Sequence, residues 1–283
     1  MNALTDSYTL ANSVKIPCVG FGTWQTPDGE TTVQSVLAAL EAGYRHVDTA
    51  AVYGNEKGVG DAIKKSEINR EELFITSKLW NSARGYETTL AAFEVTMEKL
   101  QLETLDLYLI HWPAAKGDPA DWQKTNLDTW RAFEHLYNTK RIRAIGVSNF
   151  LPHHLEPIIR DATVQPMVNQ IEFHPGFMQK ESVDFCRAHN ILIEAWSPLG
   201  TGKMLTDKTL AAIAAKYDKS VAQLCIRWCL QNDTLPLPKS VTPSRIRENA
   251  RVFDFAISDA DMATINAMPY FGGSGLNPDE INF

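Results

Sequence analysis

Apolar residues along this chain switch repeatedly between two spacings, and the switch recurs over most of its length. Short, nearly continuous apolar runs read as buried strands: Leu73-Phe74-Ile75, Leu105-Asp106-Leu107-Tyr108-Leu109-Ile110, Ile142-Arg143-Ala144-Ile145-Gly146-Val147, Met167-Val168-Asn169-Gln170-Ile171 and Ile191-Leu192-Ile193-Glu194-Ala195-Trp196. Between them, apolar positions recur at helical intervals over residues 31–42, 86–100, 128–138, 153–160, 181–189, 210–216 and 221–230. Gly43 ends the first of these helices, and Val59 and Ile63 mark a shorter one. At the start, Tyr8-Thr9-Leu10 and Val14-Lys15-Ile16 flank Asn12-Ser13, which predicts a small hairpin, and residues 18–23 form the next strand. Near the end, Leu235-Pro236-Leu237-Pro238 reads as a short last strand, and Pro243 opens a final helix at its first turn.

After the hairpin this makes eight strand-then-helix units. Regular alternation implies parallel strands joined by right-handed crossovers, and eight units favour closure. The expected fold is therefore α/β, a (β/α)8 TIM barrel with an N-terminal β-hairpin, in a single domain spanning residues 1–283. A doubly wound sheet would carry a glycine-rich fingerprint after its first strand, and Gly20-Phe21-Gly22 lacks the third glycine.

Composition narrows the class. The formal net charge of -7 is dispersed, with no basic stretch to hold nucleic acid. No segment approaches the roughly 20 apolar residues of a membrane span, and no basic-then-apolar leader opens the chain. Four cysteines are scattered, and Cys225 and Cys229 sit one helical turn apart in an apolar run, as a packed thiol pair. A cytoplasmic protein is expected, monomeric because no apolar stripe is left over.

In such a barrel the C-terminal ends of the strands share one face, where active sites are built. The polar residues at those ends are Asp48 with Tyr53, Lys78, His111, Ser148 with Asn149, Asn169 with Gln170, Ser197, and Lys239 with Ser240. Each has a plain structural explanation alone. Residues 43–56 read equally well as a turn capped by Asp48, Lys78 as a snorkelling strand end, and Ser148-Asn149 as a helix cap. Their convergence on one rim argues for a site.

Phe21-Gly22-Thr23-Trp24, the stretch from Gly43 through Tyr53-Gly54-Asn55-Glu56, Ile110-His111-Trp112-Pro113, Gly146-Val147-Ser148-Asn149-Phe150, Asn169-Gln170-Ile171-Glu172 and Pro238-Lys239-Ser240 together resemble the aldo-keto reductase family. The resemblance runs from about residue 16 to residue 268 and is strongest to the microbial diketogluconate reductase and prostaglandin F synthase-like branch. It implies a tetrad of Asp48, Tyr53, Lys78 and His111. Reducing a carbonyl takes a hydride at carbon and a proton at oxygen. A free tyrosine, with pKa about 10, is a poor donor near neutrality. Lys78 is expected to lower that pKa, Asp48 to hold the lysine charged, and His111 to hydrogen-bond the carbonyl oxygen.

The resemblance also implies NADPH/NADP as cofactor. Ser148, Asn149 and Gln170 are expected on the carboxamide, with Trp196 stacked on the nicotinamide where many members carry tyrosine. Gly22, Thr23, Trp24, Ser197, Leu199 and Val241 complete the cofactor surface. Lys239, Ser240 and Arg245 suit the extra phosphate of NADP, and Glu248 and Asn249 the adenine. Trp24, Trp80 and Trp112 would wall a pocket for a small carbonyl substrate: an aldehyde, 2-oxoaldehyde, diketone or keto sugar. The glycine-rich stretch Tyr270-Phe271-Gly272-Gly273-Ser274-Gly275 is expected to move until ligand binds. Two alternatives stand beside this reading. A non-catalytic NADP(H)-binding regulatory protein would bind nucleotide without turnover. A metal-dependent barrel hydrolase, using His46, Asp48, His111, Glu172 and His174, would lose activity to a chelator; Lys78 argues against it by repelling a cation, and no metal is expected.

Overall fold

The computed structural model describes residues 1–114 and 121–281. Strands β1 (Ser7–Thr9) and β2 (Lys15–Pro17) pair antiparallel, with Tyr8 opposite Ile16. The eight strands β3 (Gly20–Gly22), β4 (His46–Asp48), β5 (Phe74–Leu79), β6 (Leu105–Ile110), β7 (Ile142–Ser148), β8 (Val168–Glu172), β9 (Leu192–Trp196) and β10 (Leu235–Pro236) follow, each parallel to the one before it in sequence. The two ends meet where the Gly22 N–H donates to the Pro238 carbonyl at 3.1 Å, which closes the ring.

The near-continuous apolar character of the strands has a direct cause. All six residues of β5 and all six of β6 are buried, since one face of each strand fills the barrel and the other meets a helix. The outer layer comprises α1 (Glu30–Glu41), α2 (Glu56–Lys65), α3 (Tyr86–Leu100), α4 (Trp122–Asn138), α5 (Pro152–Asp161), α6 (Lys180–Ala188), α7 (Lys208–Lys216), α8 (Val221–Gln231), α9 (Pro243–Asn249) and α10 (Asp259–Asn266). Cys225 and Cys229 lie unpaired and buried in α8. Among the described residues, no helix is long and apolar enough to cross a membrane.

Several boundaries differ from the sequence expectation, among them the first barrel strand, expected over residues 18–23 and confined to Gly20–Gly22. The helix opened by Pro243 is not the last, because Ser258 accepts from the Asp261 N–H and caps α10. The last strand is shorter than its apolar run: its continuation, Leu237, still donates its N–H to the Ala195 carbonyl at 3.0 Å. Each Pro lacks the donor a longer ladder needs.

Not every buried charge marks a site. Asp106 in β6 is fully buried, yet its oxygens accept from Arg70 at 2.5 Å, the Ile75 N–H at 2.8 Å and Arg143 at 2.6 Å. It is a satisfied structural clasp.

Gly60 lies inside α2, where glycine is intrinsically unfavourable by about 1 kcal/mol against alanine. A Cβ there would stand 2.5 Å from the Leu100 carbonyl oxygen and 2.7 Å from its carbon. Backbone at the end of α3 cannot step aside as a side chain would. Gly60→Ala is therefore expected to destabilise by about 1–3 kcal/mol despite its better helix propensity, read as a lower denaturation midpoint. An unchanged or higher midpoint would contradict the close approach.

Candidate functional site

Period-two alternation puts His46 and Asp48 on one face of β4 and Val47 on the other. Both polar residues are buried, but they part company along the strand. His46 hydrogen-bonds Thr76 Oγ1 at 2.9 Å, within the barrel, whereas Asp48 ends the strand. Beyond it, a 3-10 turn over Ala51–Tyr53 closes at Gly54, whose φ of 70° is the left-handed turn glycine accepts readily. That turn lowers the Tyr53 hydroxyl onto Lys78.

Lys78, from β5, is fully buried. Its ammonium donates to Asp48 Oδ1 at 2.6 Å, the Thr49 carbonyl at 3.0 Å and Tyr53 Oη at 3.2 Å. An ammonium has three N–H bonds, and all three are accounted for. Because Tyr53 Oη accepts from lysine, the phenol's own proton is directed elsewhere. His111, at the end of β6, packs edge-on to Tyr53 with ring centres 5.6 Å apart, and to Trp80 at 5.3 Å.

The protonation states follow from burial and Lys78. Burial opposes the Lys78 charge, but Asp48 and Tyr53 outweigh it and hold the lysine above its ordinary pKa. Burial drives His111 well below the usual imidazole value, and the Lys78 charge pushes the same way, so the ring is neutral. Tyr53 departs from the expectation. Burial raises it, Lys78 pulls it down and Asp48 raises it again, leaving it above the ordinary value of 10.0. The downward pull of Lys78 is present, but desolvation of a phenolate outweighs it.

The remaining predicted residues converge on the same rim, with varied commitments. Ser148 Oγ donates to the Gln170 carbonyl at 2.7 Å. Asn149, at φ 63°, donates from Nδ2 to the His111 carbonyl at 2.9 Å and to Ser148 Oγ at 3.1 Å. Its Oδ1 accepts from Trp196 Nε1 at 2.8 Å, which fixes the indole. Gln170 Nε2 donates to Asp48 Oδ2 at 2.9 Å and Glu194 Oε2 at 2.8 Å. Both amide protons are engaged, and Oε1 is the atom left to accept from a ligand's amide N–H. That polarity fits a carboxamide.

Thr23 Oγ1 is committed to the Asp48 carbonyl at 2.9 Å, and Gly22 runs close to Leu237, whose carbonyl oxygen is 3.2 Å from where a Cβ would stand. Ser197 (φ 53°) and half-buried Leu199 form the turn after β9, where Ser197 Oγ accepts from the Thr201 N–H at 2.9 Å. After β10, Lys239 Nζ reaches across to the Gln25 carbonyl at 3.2 Å, and burial lowers its pKa. Ser240 Oγ accepts from the Thr242 N–H at 3.1 Å; Val241 and Arg245 are exposed, Glu248 is half-buried and Asn249 is buried. Lys239, Ser240 and Arg245 thus supply two cations and a hydroxyl in one loop and helix start, a donor set suited to a phosphate.

The three tryptophans differ. Trp24 is 47% exposed, Trp80 half-buried, and Trp112 only 6% exposed, so Trp112 offers a smaller face than expected. The glycine-rich stretch expected to move is tied down here: the Phe271 N–H donates to the Gly176 carbonyl at 3.1 Å, Lys203 Nζ to the Gly273 carbonyl at 3.0 Å, and Ser274 Oγ to Glu172 at 2.6 Å. No three donors of the hydrolase alternative gather, although His174 Nε2 lies 3.6 Å from Glu172 Oε1. Among the described residues, the one group close enough for an ion is His153, His154 and Asp279.

Sequence reasoning missed two supports. Asn55 accepts from Thr49 Oγ1 at 2.7 Å and donates to the Thr23 and Thr26 carbonyls at 2.9 and 3.0 Å, pinning the Tyr53 turn to the neighbouring loop. Glu194 lies inside the barrel behind Gln170. The alternation of β9 signalled an inward carboxyl there, but nothing in the pattern gave its depth.

Comparison with known proteins adds an independent line. Residues 18–269 match the aldo/keto reductase family. The chain is 52% identical to a glyoxal reductase of Bacillus subtilis over 281 residues, covering 99% of both, and 48% identical over 284 residues to a 9,11-endoperoxide prostaglandin H2 reductase of Trypanosoma cruzi, covering 99% of this chain and 98% of the relative. Its fold is similar to that of an aldo-keto reductase of the silkworm, Bombyx mori, which is also solved complexed with NADPH. The TM-score is 0.86 at 32% identity, covering 94% of this chain and 89% of that one.

The buried imidazoles set an acid limit. Burial, with Lys78 adding, lowers His46 to about 3. Unfolding frees it to bind a proton below about pH 6.5, so its contribution is complete above that value and is lost as pH falls towards 3. The denaturation midpoint should drop between pH 7 and 4.5, and drop less in His46→Gln. Equal drops in both proteins would contradict the assignment.

Proposed function

The chain belongs to the aldo/keto reductase family, and from that premise we propose that it is an NADPH-dependent oxidoreductase that reduces aldehydes and ketones to alcohols. The observation that carries the catalytic reading is the allocation of all three Lys78 N–H bonds, one of them to Tyr53 Oη. NADPH, when bound, supplies the hydride to the carbonyl carbon. Tyr53 is the general acid in reduction and the general base in the reverse direction. Its hydroxyl is held as an acceptor by Lys78, so its proton is available to the carbonyl oxygen. Transfer leaves a phenolate beside a fixed ammonium, which stabilises the charge as it develops. Asp48 holds that ammonium charged, and neutral His111 hydrogen-bonds the same carbonyl oxygen.

Ser148, Asn149 and Gln170 form the nicotinamide end of the cofactor site, with Trp196 beside it. Lys239, Ser240 and Arg245 take the phosphate that distinguishes NADP from NAD, and Glu248 with Asn249 the adenine. Trp24, Trp80 and Trp112 form the substrate wall. The name of one relative, glyoxal reductase, favours a small dicarbonyl among aldehydes, 2-oxoaldehydes, diketones and keto sugars. One barrel domain carries the whole site. Its unpaired, buried cysteines support a reducing, cytoplasmic setting.

Turnover of an aldehyde panel, followed by NADPH oxidation, tests the activity. Tyr53→Phe is expected to lower kcat by about 10²–10⁴ while NADPH binding changes little. Wild-type turnover in that variant would refute the role. Lys239→Ala combined with Arg245→Ala should reduce the NADPH-over-NADH preference in kcat/KM by about tenfold or more, since each removes a charge-assisted contact. An unchanged preference would refute the phosphate assignment.

A further inference from the structure

Beneath the rim, Glu194 is a fully buried carboxyl that the mechanism above does not use. It shares one donor with Asp48: Gln170 Nε2 lies 2.8 Å from Glu194 Oε2 and 2.9 Å from Asp48 Oδ2. We propose that Glu194 is a positioning residue which, with Asp48, fixes the Gln170 amide in the one orientation that presents Oε1 to an amide N–H of the bound nucleotide. The inference rests on the cofactor reading given above.

The geometry makes the two acceptors jointly decisive. An amide can turn over and exchange its oxygen for its nitrogen at little cost unless its neighbours forbid it. Asp48, a carboxylate that can only accept, forbids it, since a reversed amide would place a carbonyl oxygen against it, and Glu194 takes the second Nε2 proton. Asp48 alone would satisfy only one Nε2 proton.

Glu194 must serve as an uncharged acid. Its Oε1 has no hydrogen-bond partner among the described residues, and leaving a buried, half-satisfied carboxylate would be expensive. The charged groups acting on it are Asp48 from β4, which repels a second negative charge, and Lys78 from β5, which favours one. Its in-register neighbours are Gln170 on β8 and Leu235 on β10. His46, on the same face of β4 as Asp48, is itself neutral. Burial first, and Asp48 second, push Glu194 up to about 8.

A consequence separates this role from mere packing. Above about pH 8 Glu194 gains a negative charge, one hydrogen bond behind the residue that meets the nicotinamide. Oxidised nicotinamide is cationic and reduced nicotinamide is not, so ionisation favours NADP over NADPH. The ratio of their dissociation constants, Kd(NADP)/Kd(NADPH), should fall about three- to tenfold between pH 7 and 9. Taking the ratio cancels the titration of phosphates common to both nucleotides.

The test is nucleotide titration of the full chain from pH 6.5 to 9.5, for wild type, Glu194→Gln and Glu194→Leu. The amide of Glu194→Gln is near-isosteric and can still accept from Gln170, so it should bind both nucleotides within about twofold of wild type at pH 7 while its ratio no longer moves with pH. Glu194→Leu should weaken both nucleotides about five- to tenfold, the loss of one orienting hydrogen bond. The inference is overturned if the ratio changes with pH equally in wild type and Glu194→Gln, or if Glu194→Leu binds as wild type does. A wild-type protein that bound neither nucleotide would overturn the cofactor reading itself, and this inference with it.

Discussion

A lysine ammonium with no exposure to water is the constraint around which this molecule is arranged. Left alone, such a charge would lose its proton or unfold the barrel. Lys78 keeps it because β4 supplies Asp48 Oδ1, the residue after it, Thr49, supplies its carbonyl, and the following turn supplies Tyr53 Oη. Each acceptor depends on something further out. Asp48 is oriented by Gln170 from the opposite side of the barrel, and the Tyr53 turn is pinned by Asn55 to the loop after β3. The barrel closure between Gly22 and Pro238 brings the first and last strands together and thereby completes the rim. Fold and site are coupled through one cation.

Much of this was legible in the chain. Eight alternations between continuous apolar runs and helical spacing pointed to a barrel because both causes are local: strand length and helix periodicity. The strand ends could be read off the same pattern, and with them Asp48, Lys78, His111, Ser148 and Gln170. What was not legible depends on depth and company. That burial outweighs Lys78 at the Tyr53 hydroxyl is a tertiary fact, since sequence gives the neighbour but not the loss of solvent. Asn149 reads as a ligand contact, yet three protein groups already occupy its amide. Helix α10 has too weak an apolar face to stand out in the pattern, although Ser258 followed by Asp261 is a readable cap.

The buried carboxyl groups show how similar residues divide their duties. Asp106 is fully paired with arginines and backbone at one strand and stays inert. Asp48 is paired with Lys78 and shapes its chemistry. Glu194 is given a single amide proton and, among the described residues, an oxygen without a partner, which makes its charge state the adjustable one. Number of partners, rather than burial, distinguishes them.

The central claim is that the Lys78 ammonium acts directly on the Tyr53 hydroxyl and lowers the cost of its phenolate. Ionisation of Tyr53 can be followed by ultraviolet difference spectra, with Tyr53→Phe subtracted to isolate the one phenol, in wild type and in Lys78→Met. Removing the cation should raise the Tyr53 pKa by about one unit or more. A Tyr53 that titrated at the same pH, or lower, without Lys78 would contradict the account.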